Sequence, residues 1–250
     1  MKHFTNYLLA AVCVTGLAAC GGGDTEDRLD LADPVVRFVH ASPLASTLSF
    51  YRNDVVQGGA SNAAYKFASN YFYADTDTAQ WSVKTAPGNV VLGSLPIDAK
   101  RGNRYTVVAL PSGTSETILY EIRDPYNKSL TSDRAKIRVM NASFNASNID
   151  VYLNALNTDI SALGILPAIA GTNYKTSGPL PGNDSLDIEG GSYQIAITTA
   201  GSKKVLFKGV INIERNKDIL LVTTANLESP VAVKTLIKVD GVDGMTELKG

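Results

Sequence analysis

The run Val36-Arg37-Phe38-Val39-His40-Ala41-Ser42-Pro43-Leu44-Ala45-Ser46-Thr47-Leu48-Ser49-Phe50-Tyr51-Arg52-Asn53 returns without a gap as Ile137-Arg138-Val139-Met140-Asn141-Ala142-Ser143-Phe144-Asn145-Ala146-Ser147-Asn148-Ile149-Asp150-Val151-Tyr152-Leu153-Asn154. Arg37/Arg138, Ala41/Ala142, Ser42/Ser143, Ala45/Ala146, Ser46/Ser147, Tyr51/Tyr152 and Asn53/Asn154 are identical. Apolar residues replace apolar ones at Val36/Ile137, Phe38/Val139, Val39/Met140, Leu48/Ile149 and Phe50/Val151. A repeat spaced about one domain apart marks a duplicated domain rather than a solenoid. The 250 residues are therefore read as two related modules, each large enough to bury its own core.

Both copies are written in short β-branched and aromatic runs separated by Gly, Pro, Asn and Asp, the pattern of an all-β domain. In the first, Val36, Phe38 and His40 alternate with Arg37, Val39 and Ala41, and Pro43 ends the strand because it has no N–H for a ladder. Trp81, Val83 and Thr85 form a later strand, and the apolar run Tyr105–Leu110 reads as a central strand buried on both faces. In the second copy Tyr174-Lys175 echoes Tyr65-Lys66, and Tyr193, Ile195 and Ile197 echo Trp81, Val83 and Thr85. The run from Asn216 to Val222 echoes that from Asn103 to Ala109. The spacing drifts between copies, which places insertions between Leu163 and Asp184, and Asp240 to Gly250 reads as a polar tail. The expected fold is all-β: two tandem immunoglobulin-like antiparallel β-sandwiches, at residues 34–123 and 134–250. Residues 124–133 form a polar linker that lets the domains pivot about an inter-domain cleft, the default place for a site.

Ahead of the repeats, Lys2 and His3 precede an apolar run from Tyr7 to Ala19 that suits a signal-peptide core but is short for a lasting membrane span. Residues 1–19 are the expected leader. Leu17-Ala18-Ala19-Cys20 resembles the bacterial lipobox, which implies lipidation (diacylglycerol and an acyl chain such as palmitate) on Cys20. Three acyl chains would hold the protein on a membrane without spanning it. Gly21 after the Cys, by analogy with lipoprotein sorting, points to the outer membrane. Residues 20–33, with three glycines and an acidic run, are a flexible tether.

Cys13 and Cys20 are the only cysteines, so the body of the chain holds no disulfide and no cysteine metal site. A formal charge of −1 offers no basic field for nucleic acid. No metal or cofactor motif is present: the acidic loops at Asp75 and Asp240 lack EF-hand spacing. Tyr71 and Tyr73, within an aromatic-rich segment, and the repeated Arg37 and Arg138 are the candidate ligand or partner surface. His40 is the sole histidine beyond the leader, so histidine-dependent acid–base chemistry would have to use it. Its counterpart is Asn141, which cannot cycle a proton but can hold the same backbone group. Both are read as structural polar groups at a strand end, and no catalytic residue is assigned.

The opening Val36-Arg37-Phe38-Val39-His40-Ala41-Ser42-Pro43, followed by a strand ending Tyr51-Arg52-Asn53, resembles the signature of the DUF4397 family, roughly V-R-V-V-H-A-S-P-D-A-P-x-V-D-V-Y-V-N-G. The second copy keeps Asp150-Val151-Tyr152-Leu153-Asn154 but has Asn141 and Phe144 in place of His and Pro. The first keeps those and has Ser49 in place of Asp. The resemblance implies a β-sandwich of unassigned activity in a surface or lipid-anchored protein. The reading as a whole is a non-enzymatic, lipid-anchored envelope protein that binds, adheres or scaffolds, with an envelope protein or a glycan as partner. The alternatives are an accessory subunit of an envelope complex, or a glycan-processing hydrolase working with carboxylates alone.

Overall fold

The computed structural model describes residues 32–57, 59–113, 116–125, 131–229 and 232–250. The leader, Cys20 and most of the tether lie outside them. The first repeat contributes β1 (Val35–His40), β2 (Leu48–Arg52), β3 (Val55–Val56), β4 (Phe72–Tyr73), β5 (Thr78–Thr85), β6 (Val91–Asp98), β7 (Arg104–Ser112) and β8 (Glu116–Asp124). The second contributes β9 (Arg134–Ala142), β10 (Asn148–Asn154), β11 (Ile169–Asn173), β12 (Thr176–Gly178), β13 (Leu186–Glu189), β14 (Gly191–Thr199), β15 (Val205–Ile213), β16 (Asp218–Ala225), β17 (Val233–Val239) and β18 (Thr246–Glu247). The described residues are all-β, as expected, and each repeat is two sheets.

The sheets run β3-β2-β5-β6 and β4-β1-β7-β8 in the first repeat. In the second they run β11-β10-β14-β15 and β12-β9-β16-β17-β18, with β13 also on β9. One pairing in each repeat is parallel, β1 with β7 and β9 with β16. The first core lies between the two sheets of its repeat and is built on stacked rings: Phe38 on Phe50 at 4.5 Å and Phe50 on Trp81 at 5.1 Å. The buried part of the second core is mainly Ile and Val, from Ile137, Val139, Ile149 and Val151 to Ile195, Ile197 and Ile211, with the rings of Tyr193 and Phe207 only partly buried against it.

A third core joins the repeats. Val39, Ala41, Val108, Leu110 and Ile122 of the first pack against Met140, Ala142, Leu220, Val222 and Leu236 of the second. The four sheets therefore stack as four layers. This explains why β7 and β16 are buried along nearly their whole length on both faces. Residues 126–130 of the expected linker lie outside the described residues; where an open cleft was expected between the repeats there is an apolar seam, the second face of β1, β7, β9 and β16 being buried in it.

Strand registers correct two of the echoes. Phe50 lies opposite Val83 and its counterpart Val151 opposite Ile197, so Ile195, not Tyr193, stands where Trp81 stands. Val36 lies opposite Tyr105 and Ile137 opposite Ile219, so Arg104 answers to Asp218, one residue off the apparent match. A slip of one would turn every side chain to the wrong face. The extra chain of the second repeat begins earlier than expected, at 155–168, where it folds over the outer face of β10 and β14 and lays Ile160 against Tyr152 and Ala196. The C-terminus is no polar tail: β18 pairs with β17, and Leu248 packs on the second core.

Candidate functional site

Each repeat reaches across the seam with the same device. The Lys66 and Lys175 backbones take left-handed φ values of 73° and 66°, which turns the preceding tyrosine outward. Their N–H groups donate to the carbonyls of His40 (3.1 Å) and Asn141 (2.8 Å), so both turns hang from equivalent strand ends. Tyr65 then shares a hydrogen bond with Thr224 at 2.8 Å, while the Tyr174 hydroxyl donates to the Pro111 carbonyl and accepts from Gly113 N–H at 3.1 Å. Lys66 meets Glu247 at 2.5 Å and Lys175 meets Ser112 at 2.9 Å. The repeats clasp each other reciprocally.

At the other end of the seam the charges gather. Arg104 pairs with Asp218 at 2.8 Å and Asp240 at 3.1 Å. Arg138 approaches Asp124 at 3.5 Å and donates to the carbonyls of Pro179, Leu180 (3.3 Å) and Asn183 (2.5 Å). Arg37 donates from Nε to Thr106 at 2.8 Å, and its guanidinium lies 4.6 Å over the Tyr71 ring, with Arg104 5.0 Å from the same ring. Burial raises the Tyr71 hydroxyl above its ordinary pKa, against the pull of those two cations. Arg37 Nη1 and Arg138 Nε have no acceptor among the described residues, and both residues line a cavity of about 20 Å³, room for one water molecule.

Three of the four candidate surface residues are thus seam residues. Arg37 and Arg138 are 5% and 3% exposed, and Tyr71 points its hydroxyl inward to Thr106. Tyr73 alone is open, at 80% exposure, where β4 runs out beyond the seam. Beside it Asp33, Val35, Asn103 and Arg104 line a shallow pocket of about 170 Å³. The tyrosines therefore do not form one aromatic platform.

His40 and Asn141 are fully buried and hold matching backbone groups. His40 Nδ1 accepts from Ser42 N–H at 3.3 Å and Nε2–H donates to the Ser46 carbonyl at 3.2 Å. Asn141 Oδ1 accepts from Ser143 N–H at 3.1 Å and Nδ2 donates to the Ala146 carbonyl at 2.9 Å. Burial drives the imidazole pKa from 6.5 down to about 4, only partly offset by its bond to Ser46, so at neutral pH the ring is uncharged and sealed from any substrate.

Carboxylates that stand close together do so around a shared cation: Asp75 and Asp77 on Arg52, Asp184 and Asp187 on Lys136, Asp218 and Asp240 on Arg104. Each is occupied as a counter-ion, not aimed across a cleft. Among the described residues no group of three His, Cys, Asp or Glu side chains is placed to hold a metal. No helix among them is long and apolar enough to cross a membrane. Sequence reasoning missed Arg104, Asp218 and the tail. The Tyr-Lys echo and the apolar Tyr105–Leu110 run were the visible traces of the seam.

No curated protein matches the chain. Among solved structures, one from work on alpha-glucan recognition by family 41 carbohydrate-binding modules of streptococcal virulence factors is 10% identical, with a TM-score of 0.26 over 80% of this chain and 96% of that one. The family CBM26 module CBMbc of Eubacterium rectale Amy13K, solved with maltoheptaose, is 7% identical, with a TM-score of 0.24 over 87% and 98%. At these TM-scores neither likeness bears on what this chain binds. Residues 34–152, the whole first repeat and the second as far as Tyr152 in β10, match the family described as Domain of unknown function (DUF4397).

Proposed function

We propose that this chain is a non-enzymatic, lipid-anchored protein of the bacterial cell envelope, at the outer membrane, that works by binding through the surface of a stiff four-layer body. The observation that carries the reading is the use made of the polar side chains. The buried histidine holds a turn of its own repeat, the paired carboxylates serve as counter-ions, and the cavity lined by Arg37, Arg104, Arg138 and Asp218 at the seam admits nothing larger than water. Chemistry on a substrate needs groups that a substrate can touch.

What remains for recognition is exposed. The Tyr73 ring, with Asp33 and Asn103 as hydrogen-bonding neighbours, offers an apolar face rimmed by polar groups, the chemistry that suits a sugar ring of an envelope glycan. It lies beside Ala32.

Two experiments test this. Growth with a clickable palmitate analogue is expected to label the chain, and Cys20→Ala is expected to abolish the label; an unlabelled wild-type chain contradicts the anchor. Tyr73→Ala is expected to leave stability within about 0.5 kcal/mol, since it is a surface change, and to lower retention on isolated envelope glycan at least ten-fold. Equal retention of the two proteins removes Tyr73 as the site.

A further inference from the structure

The outer faces of the two sandwiches are built on corresponding strands; both expose aliphatic side chains, Val55, Val56 and Val91 on the first, and they differ in charge. In the first repeat the face around Tyr51 carries one lysine, Lys84. It is neutralised by Asp54 at 2.7 Å and lies 4.5 Å over the Tyr51 ring. In the second repeat the corresponding tyrosine, Tyr152, is covered by the 155–168 segment, pinned where Lys203 donates to the Ile165 carbonyl at 2.7 Å and lies 4.5 Å over the Tyr152 ring. That cover does not bury its own leucines. Leu163 is 103% exposed and Leu166 78%.

These leucines do not stand alone. Val210 faces outward from β15, opposite Gln194, and Val205 is exposed at the start of the same strand. Around them stand three exposed lysines, Lys203, Lys204 and Lys208; of the two acids on that face, Asp159 is exposed and Asp150 is buried, its carboxylate taken by the Gly171 and Gly201 N–H groups. In a chain whose formal charge is −1, this is a local excess of positive charge set among open aliphatic side chains. Aliphatic side chains that reach past a rim of lysines match a phospholipid surface, where the chains enter the headgroup boundary and the ammonium groups meet the phosphates.

We propose that the outer face of the second repeat, through Leu163, Leu166 and the lysines beside them, lies against an anionic phospholipid bilayer. This rests on the reading of the chain as lipid-anchored and deepens it: the lipid at Cys20 holds the protein at the membrane, and this face sets its orientation there. The first repeat, with its lysine already paired, then points away from the bilayer.

The full acylated chain, reconstituted in phosphatidylethanolamine vesicles containing phosphatidylglycerol, carries the test. An environment-sensitive fluorophore is attached to Leu166→Cys, or to Val91→Cys on the outer face of the first repeat as the control. The expected result is blue-shifted emission, protected from an aqueous quencher, at position 166 and solvent-like emission at position 91. Lys204→Glu with Lys208→Glu should weaken the buried fraction by about five-fold for each lysine, and so should replacing phosphatidylglycerol by phosphatidylcholine. Solvent-like emission at 166 in a chain whose N-terminal peptide has the mass of an acylated cysteine overturns the proposal and leaves the anchor standing. A protected label at 166 in a chain with no acyl mass overturns the anchor and leaves the face. Burial that ignores both the lysine changes and the lipid charge also overturns the proposal, since the face would then not be reading an anionic surface.

Discussion

The two repeats solve one packing problem with different material. The first fills its sandwich with rings, Phe38, Phe50 and Trp81, and needs little else. At the same three places the second has Val139, Val151 and Ile195, and the lost volume is made good by additional chain: Leu186 and Ile188 on β13, and Leu248 behind β18, all packed on its core. The open flank is closed differently too. In the first repeat Gly93 of β6 sits so near β8 that a Cβ there would stand 3.2 Å from the Leu119 nitrogen. In the second, Phe207 occupies the matching position and the C-terminal residues run alongside it, with the Gly250 backbone near the ring. Close packing is the invariant, and side-chain volume can be exchanged for backbone if the total is kept.

That comparison can be broken most severely at Trp81. Trp81→Ala is expected to destabilise the chain by about 4 kcal/mol and Ile195→Ala by about 3 kcal/mol, in keeping with the volume each leaves behind; equal losses in denaturant titrations would mean the ring stack is not the keystone of the first core. Ending the chain at Asp243 should come next, at about 3 kcal/mol, because it strips Leu248 from the second core and the Glu247 partner from Lys66. Hydrogen exchange sharpens the point: β17 is expected to lose protection first and β8 to change least.

The strand-end pair separates the repeats by pH. Above pH 6.5 the His40 ring is neutral whether the chain is folded or not; between 6.5 and about 4 the unfolded chain binds a proton that the folded chain refuses. Stability therefore falls as pH drops through that window, by about 3 kcal/mol at its lower end, and then levels off. His40→Asn installs the side chain that already serves at Asn141 and removes this contribution. Its stability at pH 7 is expected within about 1 kcal/mol of the parent, with a shallower acid limb in thermal melts. An unchanged acid limb would show that the histidine is not sealed.

Much of the architecture was legible because it is local. Alternation in β1 and β2, Pro43 and the turn glycines give strands, and the gapless repeat gives two copies. The Tyr105–Leu110 run even announced a strand buried on both faces. What it could not announce was the identity of the second cover: an apolar face states that something lies on it, not what. Arg37 and Arg138 misled for the same reason. A repeated cation reads as a ligand hook, whereas here each is spent inside the seam on a ring, a hydroxyl or turn carbonyls. Register errors of one or two residues arose where apolar runs look alike at every offset, and only the ladder fixes them. Tyr73 was legible as an exposed aromatic. Leu163 and Leu166 were passed over because leucines within a Gly- and Pro-bounded stretch read as ordinary loop.

The third core makes the two repeats one body. Differential scanning calorimetry of the intact chain tests it most directly. A single transition with calorimetric and van't Hoff enthalpies in a ratio near one is the predicted result, retained in Tyr65→Phe and Tyr174→Phe. Two separable transitions, or a ratio near two, would show that the repeats unfold independently and would contradict the account.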